Sequence, residues 1–199
     1  FAAAELATML NVAYRNWRET ETCVPIENTA AGELELIVPN LHRRYSGVTA
    51  TNRMVAPKLA KMFRAGWLGS HRPDGIDAMG FVDLMRLWRR ARPLIWHARR
   101  NDEMIAGLAL RALGWPLKLL FTSAAQRHHT WLTRWLIRNM DAIIATSPLS
   151  ASYLTREATV VMHGVDTDRY APPADRAAAF AESGLPGRYA IGCFGRVRA

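Results

Sequence analysis

Five short runs of polar and basic residues each follow a short apolar run, and they hold most of the side chains able to do chemistry. After Leu34–Val38 come Asn40, Arg43, Arg44, Ser46 and Gly47. The run Pro93–His97 leads into His97, Arg99, Arg100 and Asn101, and Leu117–Thr122 into Thr122, Ser123, Gln126, Arg127, His128 and His129. Ala142–Ala145 is followed by Thr146 and Ser147, and Thr159–Met162 by His163, Gly164 and Asp166. Adjacent arginines suit phosphate or carboxylate, which they grip through parallel N–H donors. The same string at 97–101 also fits a solvated basic turn with Asn101 capping the next helix. Ser46-Gly47 could open a helix whose free N–H groups face an anion, or it could be an ordinary N-capped turn. Arg127-His128-His129 could be an acid/base or phosphate-binding cluster, or plain surface.

Other chemistries lack their residues. Cys23 and Cys193 are far apart in sequence with no CxxC spacing, which predicts two reduced, buried thiols and no structural zinc. The adjacent histidines do not form the i, i+4 pair of a helical metal site. No P-loop, dehydrogenase-type GxGxxG, Ser-His-Asp triad or carboxylate pair is visible, so no metal or cofactor is expected.

The elements that must position these residues follow from periodicity. The runs are short and nearly continuously apolar, as in strands buried on both faces, and they alternate with helical stretches at about 49–63, 102–113, 131–140 and 147–154. That predicts a parallel sheet wrapped by helices, an α/β Rossmann-like domain, whose ligands collect at the carboxyl ends of the strands. Pro57 predicts a kink in its helix. Residues 64–82 give only turn signals around Pro73-Asp74-Gly75. The chain divides into a leader of no evident role (1–32), the Rossmann-like domain (33–170), a Pro- and Ala-rich linker (171–188) and a new strand from 189 to 199. It begins at Phe1 and ends inside that strand-like run, which leads us to expect a piece of a longer protein.

Charge sharpens the picture. With 199 residues, half of them hydrophobic, the chain can build a real core, and its net charge is +9. Between Leu84 and Met140 eleven basic residues face only Asp102 and Glu103, while the rest of the chain balances. One basic surface on a neutral scaffold calls for an anionic partner: nucleic acid, a lipid surface or a phosphorylated substrate. Two stretches look amphipathic. In 131–140, Trp131, Leu132, Trp135 and Leu136 share a face opposite Arg134 and Arg138. In 83–92, Leu84, Leu87 and Trp88 turn away from much of the arginine. Such faces either pack on the sheet or lie on an anionic membrane.

Several strings, in order, resemble a group of bacterial glycosyltransferases: Ser46-Gly47-Val48-Thr49, Trp96-His97-Ala98-Arg99-Arg100-Asn101, Leu120-Phe121-Thr122-Ser123-Ala124-Ala125-Gln126-Arg127, Met140-Asp141-Ala142-Ile143-Ile144-Ala145-Thr146-Ser147, His163-Gly164-Val165-Asp166 and Gly192-Cys193-Phe194-Gly195-Arg196. Over residues 33–199 the chain resembles the lipopolysaccharide-core mannosyltransferases of the retaining, GT-B, family-four type. The resemblance implies the acceptor-binding N-terminal domain of a two-domain enzyme, with the nucleotide-sugar domain truncated. It implies transfer of mannose from GDP-mannose, with no metal ion, to an anionic, lipid-linked inner-core glycan. The site would be cytoplasmic, peripheral at the inner face of the cytoplasmic membrane, with no role for nucleic acid. On the acceptor side it implies Ser46, Gly47, His97, Arg99, Arg100, Asn101, Thr122, Ser123, Arg127, Ser147 and His163, and on the donor side Gly195 and Arg196. Many relatives carry a histidine in the loop after the 117–122 strand, where this chain has Thr122-Ser123-Ala124-Ala125. Arg127 and His128 are then the remaining catalytic candidates there. The lysine and paired glutamates expected after Arg196 would fall beyond Ala199, so these residues alone are expected to be inactive. A related enzyme using a UDP-hexose, or a basic nucleic-acid-binding module, are the alternatives.

Overall fold

The computed structural model describes residues 34–88, 90–164, 167, 170–187, 189 and 192. Seven strands form one sheet: β1 (Leu36–Asn40), β2 (Ala65–Gly69), β3 (Asp77–Met79), β4 (Leu94–Ala98), β5 (Leu117–Ser123), β6 (Ala142–Ala145) and β7 (Thr159–Val160). All six pairings are parallel, in the order β3-β2-β1-β4-β5-β6-β7. Five of the six connections between successive strands cross through helices, α1 (Gly47–Ala60), α2 (Phe81–Arg86), α3 (Asn101–Ala112), α4 (Trp131–Arg138) and α5 (Pro148–Ser152), and residues 70–76 alone link β2 to β3. The architecture is α/β and Rossmann-like. Its order reverses between β1 and β4, which is where such sheets place ligands.

Successive strand side chains alternate between two buried layers. On one face Trp96, Met104, Leu119, Phe121, Leu136 and Ile137 pack among α2, α3 and α4. On the other, Val38, Ala56, Leu59, Trp67, Leu120 and Ile144 pack around α1. Burial on both sides explains why the strands lack polar alternation. Gly107 lets α3 sit on the sheet, since a Cβ there would stand 2.8 Å from the Trp96 ring and 2.9 Å from Leu119.

Several elements differ from the sequence reading. Residues 64–82 hold β2 and β3, hidden because β2 is split by Gly66 and Gly69 and β3 is a three-residue, largely exposed edge. Gly69 ends β2 at φ +118°, and any Cβ there would collide with the Asn40 carbonyl. β1 runs through Pro39, beyond the last register pair with β4 at Ile37, so the missing N–H falls where only β2 adjoins. α1 starts at Gly47 rather than near 49, ends at Ala60, and continues past Pro57.

The helix in 83–92 stops at Arg86, and Trp88 instead stacks on Trp115 and donates its indole N–H to the Leu113 carbonyl (3.0 Å). The face drawn for 131–140 splits: Leu136 turns into the core with Thr133 and Ile137, whereas Trp131, Leu132 and Trp135 point to solvent.

Contacts divide the chain between Gly164 and Val165. The second unit holds α6 (Arg176–Glu182) within the stretch read as linker, its N-terminus capped by Asp175 through the Ala177 and Ala178 amides (2.8 and 3.1 Å). The leader 1–32, both cysteines, most of the strand read at 189–199, and Gly195 and Arg196 lie outside the described residues.

Candidate functional site

The carboxyl ends of β1, β4, β5, β6 and β7 surround one cleft of about 560 Å³. From the first turn of α1 come Gly47, Val48 and Thr51; from the β4 end, Arg99 and Asn101. β5 and the loop after it give Phe121, Thr122, Ser123, Ala124, Ala125, Arg127 and His129. Thr133 of α4, Thr146 after β6 and His163 after β7 complete the wall. Among these described residues two are arginines, two are histidines and none is acidic.

Behind this wall lies a closed polar knot. Arg100 directs one guanidinium nitrogen to Ser46 Oγ (2.7 Å) and Thr49 Oγ1 (2.8 Å), and the other to Asn40 Oδ1 (3.1 Å) and Glu103 Oε1 (3.5 Å). Glu103 is fully buried, and its second oxygen accepts the backbone N–H groups of Arg99 (2.7 Å) and Arg100 (3.2 Å). Arg100 is the N-cap of α3 and Glu103 the N3 residue, and the Glu103 carboxylate on the Arg100 amide makes the acidic half of a capping box; the guanidinium accepts nothing, and Asn101 is not the cap. Burial pushes the Glu103 carboxyl up to about 7, against the pull of the Arg99 amide and the Arg100 charge. The knot joins β1, the start of α1, β4 and α3, and thereby fixes where the α1 N-terminus meets the cleft.

Arg99 has the opposite situation. It lines the cleft, and its Nε is buried without a hydrogen-bond partner. Burial lowers its pKa to about 10, with Glu103 acting the other way, so it is a cation at neutral pH. A buried N–H on a charged group without an acceptor is costly, and an anionic ligand atom would satisfy it. His129 Nε2 and Ser123 Oγ are likewise buried without partners, and both residues line the cleft. Burial first, and Arg127 second, lower the His129 pKa; burial and then Arg99 do the same at His163. At neutral pH the fixed positive charge therefore comes from the arginines.

Of the residues expected from sequence, Gly47, Arg99, Asn101, Thr122, Ser123, Arg127 and His163 line the cleft. Asn101 is held by a hydrogen bond that its side-chain Nδ2 donates to Thr133 Oγ1 (2.8 Å). Gly47 has no Cβ contact within 4 Å, so neither packing nor a positive φ requires glycine there; its effect is to leave the cleft open.

Five expected residues lie elsewhere. Ser46 and Arg100 are consumed in the knot. Ser147 caps α5, accepting from the Ser150 amide (3.0 Å). His128 packs edge-on against Tyr153 at 5.1 Å. His97 is fully buried, hydrogen-bonded to Thr122 Oγ1 (2.7 Å), and burial followed by the Arg99 charge holds its pKa well below 6.5. It sets the Thr122 hydroxyl from behind without reaching the cleft.

Glu103 carried a sequence signal only as a stray acid in a basic segment. Thr133 carried none, because its hydroxyl sits on the packed side of α4.

No family model and no solved structure matches the chain. It is 48% identical over 171 residues to the lipopolysaccharide core biosynthesis mannosyltransferase LpcC of Rhizobium leguminosarum bv. viciae, covering 83% of this chain and 49% of that protein. It is 45% identical over 172 residues to the lipopolysaccharide core biosynthesis mannosyltransferase LpsB of Rhizobium meliloti (strain 1021), with the same coverage of 83% and 49%. The chain spans about half the length of these curated relatives. Over that span it is similar to these two mannosyltransferases.

Proposed function

We propose that this chain is the acceptor-binding half of a retaining GT-B mannosyltransferase that transfers mannose from GDP-mannose to an anionic, lipid-linked inner-core glycan at the inner membrane face. The observation that carries the reading is a cleft at the strand carboxyl ends with two arginines, an unpartnered buried Arg99 Nε and no acidic lining residue. The names of the two homologues support the sugar and the pathway.

In this reading Arg99 and Arg127 hold the acid group of the acceptor, and the first-turn amides of α1 face the same anion. Thr122, positioned by His97, and Asn101, positioned by Thr133, offer hydrogen bonds to sugar hydroxyls. These contacts orient the acceptor hydroxyl toward the donor, which is proximity catalysis rather than acid/base chemistry by this half. The donor diphosphate and Arg196 belong to the other half, and no metal ion is invoked. Residues 1–199 alone bind the acceptor without transferring mannose.

The test is to incubate the protein that carries this chain with labelled GDP-mannose and membranes bearing a truncated lipid-linked core. Mannose incorporation into lipid, with the donor's anomeric configuration kept, is expected. Incorporation from a UDP-hexose and none from GDP-mannose would overturn the donor assignment.

A further inference from the structure

Helix α4 buries Thr133, Leu136 and Ile137 and turns two tryptophans outward, Trp131 at 74% and Trp135 at 52% exposure. Residues i and i+4 lie one above the other, so the two indoles form one stripe, with Leu132 beside it at 37%. Arg134 and Arg138 are also i, i+4 and exposed on the other flank of the stripe. The helix has no acidic residue. Nothing in the sheet needs these tryptophans, since the core contact of α4 is complete without them.

We propose that this outer face of α4 is a docking surface for an anionic lipid bilayer, with Trp131 and Trp135 in the headgroup boundary and Arg134 and Arg138 on lipid phosphates. Charge complementarity selects this occupant: a face with two cations and no anion, on the segment that carries the chain's whole net charge, matches a polyanionic plane. Indole, an apolar ring with one N–H donor, favours the water–hydrocarbon boundary over either side. Among the described residues no helix is long and apolar enough to cross a membrane, so attachment through this face is interfacial. The geometry also fits the acceptor reading, on which this inference builds. Thr133, on the inner side of the same helix, lines the cleft, so docking the outer face of α4 would hold the cleft one helix diameter (~10 Å) from the surface bearing a lipid-linked acceptor.

The test is co-sedimentation of the chain with phosphatidylglycerol vesicles and with phosphatidylcholine vesicles. Binding to the first and little to the second is expected. W131A/W135A should lower the partition coefficient by about tenfold or more, and R134Q/R138Q by several-fold with loss of most salt dependence. Both variants should keep the wild-type melting temperature, because the replaced side chains are solvent-exposed.

Unchanged vesicle binding by W131A/W135A overturns the proposal, as does absence of wild-type binding. So does a wild-type dimer that this variant converts to monomer, since the face then meets a second copy. Duplex DNA that displaces the chain from vesicles at lower concentration than lipid would reassign the face to nucleic acid. Binding of glucose 6-phosphate separates this from the acceptor reading: the α4 variants should retain it, and its absence in wild type sinks the cleft assignment while leaving the membrane face standing.

Discussion

Arg99 and Arg100 are neighbours in the chain and serve opposite regions. The knot behind the cleft gives Arg100 four side-chain acceptors within 3.5 Å, on β1, on α1 and its N-cap, and on α3. The cleft wall gives Arg99 a buried Nε with none. Both arginines follow β4, and the extended backbone at Arg100, the N-cap of α3, sends the two successive side chains in different directions. What differs is whether the protein has already supplied the counter-groups. A satisfied cation is architecture, and an unsatisfied one facing a cavity is an invitation to a ligand.

The largest effect that would break this contrast is on stability. Arg100→Ala leaves Glu103 buried without its cation and should cost roughly 3–5 kcal/mol in a urea melt. Arg99→Met removes a desolvated charge from the wall and should change stability by less than about 1 kcal/mol, in either direction. Equal destabilisation by the two variants would erase the distinction.

A smaller effect sharpens it at Gly47. Gly47→Ala meets no protein atom, so the melt should move by no more than about 0.5 kcal/mol, while glucose 6-phosphate binding weakens by several-fold. Unchanged binding would mean that no ligand approaches this backbone.

The smallest effect is the pH response. His129 and His163 have pKa values lowered below 6.5, so they are neutral at pH 7 and an anion favours their protonation. Anion binding should tighten by a few-fold as pH falls from about 8 to about 6, and the slope should flatten in H129N/H163N. Fold stability has two opposed contributions. The histidines, depressed in the folded state, lose stability as pH drops below 6.5. Glu103, raised to about 7 from 4.5, gains stability as pH falls through that interval. A melt of Glu103→Gln should lack the second contribution.

Much of the frame is legible in the sequence. Continuous apolar runs such as Leu117–Thr122 announced strands covered on both sides, and their carboxyl ends did converge on one cleft. β2 and β3 escape because Gly66 makes room for the Met79 side chain and Gly69 for the Asn40 carbonyl, tertiary requirements that weaken the strand pattern. For the site, residue type marked the basic cluster, yet it could not say which arginine was already bonded. That depends on Asn40 and Ser46, 60 and 54 residues away in sequence. Sequence periodicity leaves Leu136 with the α4 indoles for a related reason. Leu132 and Leu136 are i, i+4 neighbours that run from beside the indoles toward the buried side, so periodicity does not say where the apolar face ends, and the sheet's position decides that Leu136 goes in and the indoles out.

The most direct test of the central claim is calorimetric titration of the wild-type chain and Arg99→Gln with glucose 6-phosphate and with glucose. The account predicts that the wild type binds the phosphorylated sugar at least about tenfold more tightly than the neutral one, and that Arg99→Gln loses most of that preference with its melting temperature kept. Equal affinity of the wild type for both sugars, or a preference that survives in Arg99→Gln, would contradict it.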